Sequence, residues 1–131
     1  MKLEFENPSA LIYYNPEIHC IEVHWNSTDL FRFEEYKEVL NQGLKLLILH
    51  QTNKWLADTR EISRISVEGK DWLERDWFLR VIKSIKKIRI AILLPYSPLT
   101  KLSIDHTLNI DVLEQKYFQE LDEARGWLKK A

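Results

Sequence analysis

Apolar and polar positions follow two kinds of pattern along this chain, and the first indicates a β-hairpin. Leu11–Tyr14 is rich in strand-forming residues, and Asn15–Glu17 carries the asparagine and proline that favour a turn. Ile18–Trp25 then predicts a second strand, in which Cys20 and Glu22 share one face. We expect the two strands to pair in antiparallel fashion.

Helical spacing governs most of the following sequence, and short apolar runs interrupt it. A helix is predicted from about Asp29 to about His50, followed by a strand at Lys54–Asp58. Ser66 is predicted to cap the next helix, and the continuous apolar run Ile88–Leu94 predicts a strand inside the sheet. The apolar stripes of these two helices are Phe33, Tyr36, Leu40, Leu44 and Leu47, and then Leu73, Trp77, Val81 and Ile85.

Three further elements are predicted in the last third of the chain. Ser97 and Pro98 form a helix start, and helical spacing continues to Leu113. Tyr117–Gln119 predicts a brief strand, and a terminal helix then follows. The inner face of that helix is Leu121, Ala124 and Leu128. Strands that alternate with helices in this way predict an α/β fold with a mixed, mainly parallel sheet, as a single domain over residues 1–131.

Composition and charge narrow the classes of function. The 131 residues carry a formal net charge of −1, which gives no overall field to attract nucleic acid. We interpret the basic cluster as the solvent-exposed carboxyl end of a helix, where cations are favoured. The cluster consists of Lys83, Lys86, Lys87 and Arg89. No apolar run approaches the length of a membrane span, and the single cysteine, Cys20, suits a reducing compartment. We therefore expect a cytoplasmic protein that does not bind nucleic acid and has no membrane span.

A polar strand end marks the predicted binding site. Asp58 and Thr59 follow a short apolar run, and ligands of open α/β sheets gather at the carboxyl ends of strands. Arg60 could pair with Asp58 or meet an anion, and Tyr96 and Ser97 follow the next predicted strand. These five residues are the predicted ligand or partner surface. The simpler alternative is that Asp58 accepts backbone hydrogen bonds in its turn.

The residues offer little support for a metal site or for catalysis. His19 and His24 fall on opposite faces of one predicted strand, while His50 and His106 belong to separate predicted helices. No glycine-flanked serine elbow and no phosphate-binding glycine loop occurs. We expect no metal, no cofactor and no enzymatic activity. An enzyme would need a cleft in which Asp58 meets a histidine.

Three stretches together resemble one family. They are Trp55–Arg60, the tract Ile65–Glu68 with Trp72 after it, and the tail Phe118–Ala124 that ends in Trp127–Leu128. In these residues and in element order, the chain resembles a small bacterial STAS-like domain, a fold related to anti-sigma-factor antagonists and to the lipid-binding Sec14 type.

The resemblance implies a four- to five-stranded mixed sheet with about four helices, mostly on one side. It also implies a non-enzymatic regulatory or interaction module that binds a protein partner or small ligand at the loop from Asp58 to Ser66. Antagonists of this type are phosphorylated on a serine near the matching helix start, so Thr59, Ser63 and Ser66 are the predicted phosphorylation sites. The alternative is a carrier of an apolar small molecule or lipid. A homodimer could form through an exposed aromatic surface or the edge of the amino-terminal hairpin.

Overall fold

The computed structural model describes residues 1–26, 32–62, 66–95 and 112–130, and it confirms the α/β class. The strands of the described residues are β1 Lys2–Asn7, β2 Ala10–Asn15, β3 Cys20–Trp25, β4 Lys54–Asp58, β5 Ile88–Leu93 and β6 Leu113–Phe118. The helices are α1 Phe33–His50, α2 and α3 Leu121–Lys129, where α2 joins Val67–Trp72, a π-helical turn Leu73–Trp77 and Phe78–Ile85.

One mixed sheet contains all six of these strands, in the order β1-β2-β3-β4-β5-β6. The first three strands are antiparallel, with a register shift in β1 between Leu3 and Phe5. Strands β3 to β6 are parallel, so their carboxyl ends meet at one edge of the fold. The register places His24 beside Asp58 across β3 and β4. That pairing decides where the site forms.

The counts of elements correct the expectation from the family resemblance. The sheet has six strands rather than four or five, because Lys2–Asn7 forms an edge strand. Three helices, rather than about four, occur in the described residues. Leu113, predicted to end a helix, instead begins β6, and the rest of that predicted helix lies outside the described residues. The hairpin, β4, the Ser66 cap and the inner position of β5 are confirmed.

Two layers of helix cover the two faces of the sheet. On the α1–α2 face, Ile21, Val23 and Trp55 pack in one buried cluster with side chains of α1 and α2. On the α3 face, Leu56 and Leu93 pack in a second cluster with the buried side chains of α3. Helices α1 and α2 therefore share one face, and α3 covers the other.

A close approach between α1 and the sheet explains a glycine inside the helix. A Cβ atom on Gly43 would lie 2.3 Å and 2.5 Å from two ring carbons of Trp55. The missing side chain lets the indole pack directly against the helix backbone. Glycine in a helix interior is about 1 kcal/mol less favourable than alanine. At position 43 that cost leaves room for the Trp55 ring.

Candidate functional site

Asp58 ends β4 and is almost fully buried, and the strand-end loop is organised around its carboxylate. Arg60 donates to both oxygens, from Nε to Oδ1 at 2.9 Å and from Nη2 to Oδ2 at 2.8 Å. The backbone N–H of Arg60 also donates to Oδ1, at 3.2 Å. Asp58 therefore accepts the turn hydrogen bond of the simpler interpretation and also pairs with Arg60.

His24 connects Asp58 to a second buried carboxylate. Its Nδ1 lies 3.0 Å from Asp58 Oδ2, and its Nε2 lies 2.9 Å from Glu22 Oε1. Burial would lower the pKa of His24, but the hydrogen bonds to Asp58 and Glu22 outweigh it and raise the pKa to about 9. At neutral pH the ring is therefore a cation that donates from both nitrogens.

Glu22 is 0% exposed, which is rare for a carboxylate in a strand unless it is paired. Arg125 of α3 donates to both of its oxygens, from Nε to Oε2 at 2.9 Å and from Nη2 to Oε1 at 2.8 Å. Asn15 adds a hydrogen bond to Oε2 at 2.8 Å. Burial would raise the pKa of Glu22, but the hydrogen bonds from His24, Arg125 and Asn15 lower it to about 2.

Together these residues form a row of alternating charges, Arg60, Asp58, His24, Glu22 and Arg125, which we call the charge chain. It runs from the loop after β4, across β4 and β3, to α3. Burial would raise the pKa of Asp58, yet the hydrogen bonds from His24 and Arg60 hold it well below its usual range. With both carboxylates and the imidazole ionised, three cations face two anions, and the chain carries a net charge of +1.

The geometry limits what His24 can do chemically. A general base needs an unprotonated ring nitrogen within reach of its substrate. Both nitrogens of His24 are engaged by carboxylates, and its raised pKa keeps the ring protonated at neutral pH. The contact between Asp58 and a histidine that an enzyme would need is present, and in it the protonated ring donates to the carboxylate.

The other predicted site residues have different positions. Thr59 is buried; its hydroxyl donates to the Leu93 carbonyl, and its backbone N–H donates to the same oxygen at 3.3 Å. Thr59 therefore ties the end of β4 to β5. The hydroxyl oxygen of Ser66 accepts from the Gly69 N–H at 2.9 Å, as a helix cap does. Three predicted residues lie outside the described ones: Ser63, Tyr96 and Ser97.

Sequence reasoning missed three members of the charge chain, namely Glu22, His24 and Arg125. A local signal existed for two of them, because Glu22 and His24 occupy alternate positions of a strand whose other positions are apolar. A charged side chain on a covered strand face points to a buried partner. Nothing local identified Arg125, which is 103 residues from Glu22 along the chain.

Comparison of the chain with protein-family models, curated proteins and solved structures finds no match. Across residues 1–26, 32–62, 66–95 and 112–130, no three His, Cys, Asp or Glu side chains are arranged to hold a metal ion. Within those ranges, no helix combines the length and the apolar character that crossing a membrane requires.

Proposed function

We propose that this domain is a non-enzymatic binding module, of the STAS-like type suggested by its sequence, and that it acts in the cytoplasm. It captures a protein partner or a small ligand around Asp58 and Arg60. The observation that carries the proposal is the charge chain, whose members His24, Asp58 and Arg60 lie at the carboxyl ends of β3 and β4, where α/β sheets commonly hold ligands.

The energetics of the charge chain also support a functional reading. Two buried carboxylates cost free energy to desolvate, and apolar side chains of similar volume are often as stable or more so. Clusters of ionisable groups with strongly shifted pKa values occur preferentially at functional sites. Stability alone therefore gives little reason to place Glu22 and Asp58 here.

The test compares capture of partners by three forms of the protein. Arg60→Gln removes a cation of the charge chain, while Arg75→Gln removes the same charge from an exposed ion pair with Asp71 on α2. We expect wild type and Arg75→Gln to retain the same protein or small molecule from a lysate of the native host. Arg60→Gln should lose it while remaining folded, although loss of the pair with Asp58 should lower its unfolding temperature. Equal capture by all three forms would contradict a site at Arg60.

A second candidate, a carrier of an apolar molecule, is favoured by one observation. Four partly buried aromatic rings gather on the α1–α2 face, near the end of β3. Trp25 stacks on Tyr36 with ring centres 5.3 Å apart, and Trp72 meets Tyr36 and Phe33 at 6.3 Å each. Aromatic side chains commonly line apolar pockets. Native mass spectrometry of protein from its host should then show a bound small molecule, and the bare mass alone would count against a carrier.

Phosphorylation of Thr59, Ser63 or Ser66 also remains a proposal. Denatured intact mass spectrometry of the host protein would show an added phosphate. The Thr59 hydroxyl is buried in its bond to Leu93, so modification there requires the strand end to open. Ser66 lies at a helix start, where a phosphate is electrostatically favoured.

A further inference from the structure

The charge chain exposes one sign of charge and buries the other. The side chains of Arg60, His24 and Arg125 are 28%, 21% and 28% exposed. The carboxylate side chains beneath them are 10% exposed for Asp58 and 0% for Glu22. A molecule that approaches from solvent therefore meets the cations, although the protein as a whole carries a net charge of −1.

Arg125 retains hydrogen-bonding capacity at this surface. Its Nε and Nη2 donate hydrogen bonds to Glu22, and Nη2 also lies 3.7 Å from the Met1 sulfur. Its Nη1 has no hydrogen-bond partner among the described residues. A guanidinium held in place by one carboxylate keeps its charge and its planar orientation, so it can bind a second anion without first being ordered.

We propose that the ligand of this site presents anionic oxygens, from a carboxylate or a phosphate, and that Arg60 and Arg125 mark the two ends of the surface that binds them. This inference rests on the proposed binding function and specifies the chemistry of the ligand. His24 contributes a fixed positive charge between the two arginines, and its N–H groups are spent on the carboxylates beneath.

One neighbouring group opposes anion binding and gives a sharper expectation. The hydrogen bond to Glu22 is the main cause of the raised pKa of Arg125, and the Asp122 carboxylate raises it further. Asp122 is exposed in the first turn of α3, and its carboxylate competes with a bound anion for the positive charge of Arg125. Asp122→Asn should therefore tighten anion binding.

Amide chemical shifts measured by NMR provide the test, with three probes added at constant ionic strength. The probes are inorganic phosphate, a tri-glutamate peptide and sodium chloride. We expect saturable shifts at His24 and Arg125 with phosphate or with the peptide, and none with chloride. Saturation by phosphate alone assigns a phosphate group to the ligand, and saturation by the peptide alone assigns a carboxylate.

Variants decide whether the charge chain is responsible. Arg60→Gln and the paired variant E22Q/R125Q should each weaken binding about tenfold, the usual effect of losing a charged hydrogen bond. Arg75→Gln should leave binding unchanged. The paired variant removes one charge of each sign, and well-dispersed amide spectra check its fold. If it does not fold, Arg60→Gln decides alone, since Arg60 lies in a loop.

The outcomes separate this inference from the proposed function. Absence of saturable shifts with both anions, while Arg60-dependent capture from lysate persists, would overturn the anion inference and leave the binding module intact. Absence of both would overturn both. Equal affinities in wild type, Arg60→Gln and E22Q/R125Q would place the anion elsewhere on the surface and also overturn the inference.

Discussion

Different interactions stabilise the two faces of the sheet. On the α1–α2 face the buried side chains are mostly apolar, and Trp55 and Trp77 meet with ring centres 5.1 Å apart. On the α3 face, the apolar side chains of Leu56 and Leu93 share the sheet with the buried carboxylates of Glu22 and Asp58. Volume and shape limit what the first face tolerates, whereas charge pairing and pH limit the second.

Breaking one pair of the charge chain should produce the largest loss of stability. Arg125→Met leaves Glu22 buried with only His24 and Asn15, and we expect the free energy of unfolding to fall by about 3 kcal/mol. Glu22→Met combined with Arg125→Met removes both charges, and its free energy of unfolding should lie within about 1 kcal/mol of the wild-type value. Urea unfolding measures both values. Equal losses in the single and paired variants would show that packing, rather than pairing, holds this face.

The second-largest effect should be a pH dependence of stability, which the charged α3 face causes and the apolar α1–α2 face does not. The folded pKa of His24 is raised from 6.5 to about 9, so its contribution is complete below about pH 6.5 and is lost as the pH rises to about 9. The folded pKa of Glu22 is lowered from 4.5 to about 2, so its contribution is complete above about pH 4.5 and is lost as the pH falls to about 2. Stability should therefore be greatest between about pH 4.5 and 6.5.

The control for that profile is His24→Gln. It should be less stable throughout and should lack the decline between about pH 6.5 and about pH 9, because the titrating ring is gone. Urea midpoints over this range measure the decline. An unchanged alkaline decline in His24→Gln would mean that another group is responsible.

Gly43 tests the α1–α2 face by volume, and Gly126 of α3 is the control in open space. Alanine at Gly43 would meet the Trp55 ring at 2.3 Å, and overpacking minus the helix-propensity gain should cost about 1–2 kcal/mol. Alanine at Gly126 of α3 has no atom within 4 Å of its Cβ and should stabilise by about 0.5 kcal/mol. Thermal unfolding compares the two variants. Stabilisation by both would show that the indole moves aside at little cost.

The smallest expected loss of stability is at the start of α2. Ser66→Ala removes the acceptor of the Gly69 N–H and should cost about 1 kcal/mol. Ser84→Ala, at an exposed position of the same helix, should change stability by only a few tenths of a kcal/mol. Urea unfolding distinguishes them. Matching effects would assign the loss to helix propensity rather than to the cap.

Periodicity predicted the elements that bury a clear apolar stripe. Lys54–Asp58 was predicted with its observed bounds, because three of its five side chains are buried and the strand lies between two parallel neighbours with a turn on either side. The edge strand Lys2–Asn7 was missed because its side chains are exposed or only half-buried, so its hydrophobic signal is weak. At Leu113 the helical spacing continued into residues that the sheet recruits as β6.

The sequence predicted only those contacts of the site that join residues close together in the chain. The pairing of Asp58 with Arg60 spans two residues and follows from turn chemistry. The contact between His24 and Asp58 depends on the β3–β4 register, which places residues 34 apart in sequence side by side. Arg125 depends in addition on where α3 packs. Tertiary register, rather than composition, assembles these charges.

The irregular register of β1 has a consequence for self-association. Edge strands offer unpaired backbone groups to other molecules, and bulges and charged side chains make them poor templates. The outer strand shifts register between Leu3 and Phe5 and presents the exposed charged side chains of Lys2 and Glu6. A second molecule that extended the sheet here would find few consecutive backbone partners, so this border of the fold resists strand-by-strand polymerisation.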